Sequence, residues 1–189
     1  MIDFTFTEEQ ALFRKAAREF AETKIAPHVP NMEKTNRGWD EVVKELADAE
    51  MFAVTIPEAY GGLGMGYLAR IIATEEIARV SVATAMMYQV FGLGIEPFIK
   101  FSTEEQKKKY LPKLATGERL ATVAVTEPSG GSDPKGCSTR YKKGTGTYTL
   151  NGRKCFITNS HIADALVVLA VDEDNPEAFT TFIVEKDME

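Results

Sequence analysis

The periodicity of the hydrophobic residues changes once along the chain, at Leu120, and that change constrains the fold more than any other feature. Before it, apolar residues recur at spacings of three and four, as in amphipathic helices. After it they alternate, or run in short blocks bounded by Gly, Asn and Asp, as in strands. Helices gathered ahead of strands argue for two packed domains and against an alternating α/β sheet. The expected fold class is α+β: an all-α bundle over residues 1–119 followed by a β domain over 120–189.

Within the helical part, Thr7 and Gln10 form a capping-box pair, and Leu12, Phe13, Ala16, Ala17, Phe20 and Ala21 give one apolar stripe that Pro27 should stop. A second helix is expected from Trp39 to Ala49, with Trp39, Val42, Val43 and Leu46 on its inner face. Residues 55–66, "TIPEAYGGLGMG", are too rich in Gly and Pro for regular structure. Leu68 to Arg79 reads as a third helix with Leu68, Ile71, Ile72 and Glu75 at helical offsets. Val82 to Ile95 is apolar nearly all round, which predicts burial in the middle of a bundle. Thr103 caps a last, shorter helix ending at Leu114.

In the β part, "LATVAVTE" alternates, "ALVVLAV" (165–171) reads as a buried strand, and "FTTFIVE" (179–185) as another. "YTLNGRKCFITN" holds two strand-like runs around Asn151-Gly152, a dipeptide that favours a type I′ hairpin. About six strands in so short a segment would leave an open edge. The chain stops at "EKDME" directly after a strand, which reads as an unfinished domain.

The net charge of −6 argues against a nucleic-acid partner, which favours a basic face. Lys107, Lys108 and Lys109 lie beside Glu104 and Glu105 and read as a solvated helix face. No apolar run reaches the roughly 20 residues of a membrane span. "MIDFTFTEEQ" has neither a basic nor an apolar signal-peptide region, and Cys137 and Cys155 lack CxxC spacing. The expectations are a cytoplasmic protein with reduced cysteines and no metal site. His28 and His161 are the only histidines, and neither has a partner at ligand spacing.

The stretch "TVAVTEPSGGSDPKGCS" (122–138) aims a strand at a loop of small residues. Extended backbone at Val125 and Thr126 could address a planar heterocycle, and Pro128 ends the strand. Gly130 and Gly131 admit close approach of a ligand. Successive N–H groups with the Ser132 hydroxyl suit an anion, so the loop suits a ligand with a flat ring and a phosphate. An ordinary Gly/Ser loop has the same composition. There is neither a GxGxxG nor a GxxxxGK[ST] pattern. Further on, Phe156 could stack on a ring, with Thr158 reaching its edge, or Phe156 could be a core residue.

Six ordered motifs span the chain: "PEAYGGLGMG", "ATEEIARVS", "STEEQKKKYLPKLATGE", "AVTEPSGGSD", "YTLNGRKCFITN" and "FIVEKD". Together they resemble the acyl-CoA dehydrogenase family. The resemblance implies an N-terminal helical domain and most of a β-barrel-like middle domain, with the family's C-terminal four-helix domain missing from this chain. It implies FAD as cofactor, held by Val123, Ala124, Val125, Thr126, Gly131 and Ser132 in one segment and by Phe156, Ile157 and Thr158 in another. Thr126 would bond the isoalloxazine, Thr158 would lie beside flavin N5, and Ser132 would lie near both the pyrophosphate and the acyl-CoA substrate. Many members carry Trp where Phe156 stands, so the indole N–H is lost, and the common "GAGSD" is here "SGGSD".

The implied reaction is α,β-dehydrogenation of an acyl-CoA, with electrons passed to an electron-transferring flavoprotein, in a homotetramer. The runners-up are an acyl-CoA oxidase or flavin monooxygenase of the same superfamily, and a non-catalytic flavin- or partner-binding fragment. The family's catalytic base lies on the C-terminal domain, so none is assigned, and these residues alone are expected to be inactive. Glu75 and Glu76 read as a charged helix face, and Glu127 as pointing away from the ring. Glu96, following the apolar helix, is the least dismissible of the four.

Overall fold

A computed structural model of the chain describes residues 5–188, with Lys135 described by its backbone alone. The chain divides into two compact units that meet between Arg119 and Leu120.

In the helical unit, α1 (Glu8–Phe20) starts at the expected capping box: Thr7 Oγ1 accepts from the Gln10 N–H at 3.2 Å, and Gln10 Oε1 accepts from the Thr7 N–H at 3.0 Å. Pro27 does not stop the winding. A π turn (Ala21–Ile25) and a 3-10 turn (Ala26–His28) lead into α2 (Val29–Thr35), which Asn36 closes at φ 56°. Pro27 and Pro30 fall in the first turns of the last two segments, where a missing N–H costs little. The buried stripe is Ala17, Phe20, Ala21 and Ile25, whereas Leu12 is exposed.

Helix α3 (Trp39–Asp48) buries Val42 and Leu46. Helix α4 (Gly66–Ala78) buries Ile72, Ala73 and Ile77 with Arg70 and Glu76, while Leu68 and Ile71 are exposed. Helix α5 (Val82–Phe101) runs past Ile95 and through Pro97. Its last turn is held by the fully buried Phe98, whose ring packs 5.0 Å from that of Tyr110 on α6 (Glu104–Ala115). Packing outweighs the proline here. At 20 residues, α5 alone among the described helices has the length and apolarity of a membrane span, contrary to the sequence reading. Half of its most apolar stretch is buried among the other helices, as in a core helix. Its burial is one-sided, because Val82, Met86 and Leu93 are exposed.

The second unit is a mixed sheet whose described strands are β1 (Ala121–Ala124), β2 (Arg140–Lys143), β3 (Tyr148–Asn151), β4 (Ala165–Asp172) and β5 (Phe179–Glu185). The apolar run predicted β4 at the centre. It pairs antiparallel with β5 along one edge and parallel with both β1 and β2 along the other. The hairpin joins β2 to β3, and its turn is Gly144–Thr147, not Asn151-Gly152. Gly146 supplies the left-handed residue at φ 75°. Gly152 has another reason to be glycine: a Cβ there would stand 2.3 Å from Thr139 Oγ1. Phe156 lies in a loop, not in a strand.

Candidate functional site

Strand β1 ends at Ala124, so Val125 and Thr126 leave the sheet ladder earlier than the alternation suggested. The chain then closes a tight turn, in which Glu127 and Gly130 exchange backbone hydrogen bonds of 2.9 and 3.0 Å around Pro128-Ser129. Gly130 sits at φ 146°, and a Cβ on Gly131 would stand 2.8 Å from Thr126 Oγ1. Only glycine lets this loop fold back onto Thr126.

The second predicted segment lies against the first. The Cys155 N–H donates to the Thr126 carbonyl at 2.9 Å, and Lys154 Nζ donates to the Val125 carbonyl at 3.0 Å. Thr122 Oγ1 donates to the Thr158 carbonyl at 2.9 Å. These bonds bring residues 123–132 and 156–158 to one end of the sheet. Ser132, Phe156 and Thr158 are exposed there, and Val123, Val125, Thr126, Gly131 and Ile157 are half-buried. Ala124 is buried and presents no side chain to a ligand.

Phe156 is 91% exposed and holds φ at 56°, and Asn159 three residues on is buried at φ 67°. A left-handed conformation costs a non-glycine residue roughly 1–2 kcal/mol. Such strain persists only where the surroundings enforce it, and it collects at ligand sites. Phe156 thus presents its ring to solvent from a strained backbone.

Glu127 does not face solvent. Its carboxylate is buried and accepts from the Ser138 N–H at 2.6 Å, the Thr139 N–H at 2.9 Å, Thr139 Oγ1 at 2.5 Å, Lys154 Nζ at 2.8 Å and the Ser138 hydroxyl. Burial alone would raise its pKa, but the donors, led by Lys154 and Ser138, more than offset burial and hold the carboxyl far below the usual range. The Cys137 thiol also lies against it, at 3.1 Å. This hub ties the Glu127–Gly130 turn to the chain entering β2 and, through Lys154, to the second segment. Glu127 is thus the anchor of the site. Sequence reasoning missed it, along with Lys154, Thr122, Ser138 and Thr139, because their partners lie up to 36 residues away.

The other carboxylates considered as bases are held as well. Glu76 is buried, correcting its placement on a charged face. It accepts from Arg14 Nε at 2.7 Å and Arg18 Nε at 2.8 Å, and these arginines outweigh burial and lower its pKa. Glu75 pairs with Arg14 at 3.3 Å. Glu96 accepts from the Tyr67 hydroxyl and from Arg70 at 3.3 Å. Glu76 and Glu127 are therefore poor proton acceptors near neutral pH. Among the described residues no cluster of His, Cys, Asp and Glu could hold a metal ion.

Residues 7–118 match the family model of the acyl-CoA dehydrogenase N-terminal domain, and residues 122–189 match that of the middle domain. An acyl-CoA dehydrogenase of Bacillus subtilis is 39% identical over 183 residues, covering 95% of this chain and 48% of its own length. A mitochondrial isovaleryl-CoA dehydrogenase of Arabidopsis thaliana is 39% identical over 188 residues, covering 97% of this chain and 46% of its own length. The chain thus spans about half the length of these curated relatives. An acyl-CoA dehydrogenase of Bacillus anthracis solved with FAD superposes with a TM-score of 0.89 at 35% identity, covering 99% of this chain and 32% of that one. An electron transferring flavoprotein structure of Acidaminococcus fermentans gives a TM-score of 0.92 at 35% identity, covering 99% of this chain and 50% of that one.

Proposed function

The chain belongs to the acyl-CoA dehydrogenase family, and from that premise we propose that its protein binds FAD and oxidises an acyl-CoA thioester between the α and β carbons. The observation that carries the reading is the convergence of two distant segments at one sheet end, the second beginning with a strained, exposed Phe156. The residues fit a flavin: an aromatic face for stacking, two threonines, and a Gly130-Gly131-Ser132 turn whose N–H groups suit a phosphate. FAD, when bound, supplies a hydride acceptor for the substrate's β carbon.

This chain's own residues bind and orient. Thr126 and Thr158 each carry a hydroxyl on one of the two segments, and hydrogen bonds from them would set the ring's position and electron affinity. Ser132, exposed in the loop, would lie near pyrophosphate and substrate. Val123, Val125 and Ile157 supply an apolar wall, and Ala124 acts through its backbone. The base is assigned to none of Glu75, Glu76, Glu96 and Glu127, since each is already held by a basic side chain. Electrons pass to an electron-transferring flavoprotein, and the working assembly is a homotetramer. The acyl group is left open.

The test uses the full gene product. Wild-type protein should purify yellow and be bleached anaerobically by an acyl-CoA, and Thr126→Ala and Thr158→Ala should each weaken FAD retention or shift its reduction potential. Full, unshifted flavin in both variants would place the ring elsewhere. Absence of bleaching across short, branched, aromatic and dicarboxylic acyl-CoA esters would remove the dehydrogenase reading.

A further inference from the structure

The helical unit contains a buried cation whose hydrogen bonding is incomplete. Arg70 on α4 is only 7% exposed. Its Nη1 donates to Glu96 Oε1 at 3.3 Å, and Glu96 also accepts from the Tyr67 hydroxyl. The guanidinium fills the notch left by Gly92 on α5, where a Cβ would stand 2.7 Å from Nη1 and 2.9 Å from Cδ. Among the described residues, Arg70 Nε is the buried side-chain polar atom without a protein acceptor. Buried N–H groups in folded proteins are nearly always paired, with protein or with ordered water.

Arg70 lines a small pocket of about 10 Å3 between α4, α5 and the segment around Met51–Thr55. That is close to the roughly 10–15 Å3 that one water needs. Two further polar groups line it. Tyr88 donates its hydroxyl to the Met51 carbonyl at 3.2 Å and keeps its oxygen lone pairs free to accept. Thr55 is the other polar residue in its wall. The other walls include Phe52 and Ile95.

We propose that this cavity is a binding site for one water molecule, which accepts from Arg70 Nε and links α4 and α5 to the 51–55 segment. Charge decides between water and a small anion. Glu96 already balances the guanidinium, and apolar walls penalise an unbalanced ion, so the guest is neutral. A water needs two to four polar partners, and Arg70, Tyr88 and Thr55 can supply them.

The test is crystallography of the full-length protein from sodium bromide, with data collected at the bromine edge. One ordered water within hydrogen-bond reach of Arg70 Nε, without anomalous signal, is the expected result. Arg70→Met should lose that water. If this variant does not fold, the paired variants Thr55→Val and Tyr88→Phe should each lower its occupancy. A bromide peak at Nε would make this an anion site and overturn the proposal. So would a dry cavity, or Nε turned onto a protein acceptor.

Discussion

Glu127→Gln is the sharpest perturbation the site offers, because the carboxylate is buried and Lys154 is nearly so. The glutamine keeps the shape but removes the charge that balances Lys154, and turns an NH2 towards groups that are themselves donors. Breaking one side of a buried ion pair costs about 3–5 kcal/mol, chiefly because an uncompensated charge is left inside. Amide hydrogen exchange in β4 reads the opening of the sheet unit irrespective of the helices. At about 1.4 kcal/mol per tenfold, exchange should accelerate roughly a hundredfold to several thousandfold. Lys154→Met should cost less, because the Ser138 and Thr139 donors still solvate the carboxylate. The double variant should exchange more slowly than Glu127→Gln alone, since it buries no lone charge. The pH dependence has a definite sign. Glu127's pKa is depressed in the folded protein, so its stabilisation is complete above the ordinary carboxyl value of 4.5 and is lost progressively as pH falls towards the folded value. Glu127→Gln should flatten that acid slope. A single variant within about 1 kcal/mol of wild type, or a double variant as damaged as the sum of the singles, would refute the hub's electrostatic role.

Glu76→Gln should destabilise the helical unit, since Arg14 and Arg18 then converge on a neutral group; Trp39, the only tryptophan, reports this as a lower Tm by fluorescence. Gly152→Ala should cost about 1–3 kcal/mol by pushing Thr139 off Glu127, seen as faster exchange in β2 and β4. Gly146→Ala, with open space but φ 75°, should cost about 1–2 kcal/mol, and Gly146→Asn less, because asparagine tolerates the left-handed region. Gly131→Val should drive the loop off Thr126 and lower FAD affinity in the full gene product, measured by flavin fluorescence.

What the sequence made legible was local. Thr7 with Gln10 announces a helix start because both partners lie within one turn, and Thr103 announces another as its cap. The run at β4 announces a strand because burial on a central strand needs apolar residues in succession. What stayed hidden was settled at a distance. Glu76 and Glu75 are adjacent and chemically identical, yet one is buried because Arg14 and Arg18 arrive from about 60 residues away. Asn151-Gly152 has the composition of a turn, but its glycine answers Thr139 across the loop. The site shows the same division. Its residue types were readable and its assembly was not, since nothing in "KCFITN" gives Phe156 a left-handed backbone. That conformation is enforced from both sides, by Cys155 bonded to Thr126 and by Thr158 bonded to Thr122. Thr122 lies on β1, which pairs along Ala165 to Val168 of the central strand β4. The strained backbone at Phe156 is therefore held from within the sheet, while its side chain stays in solvent.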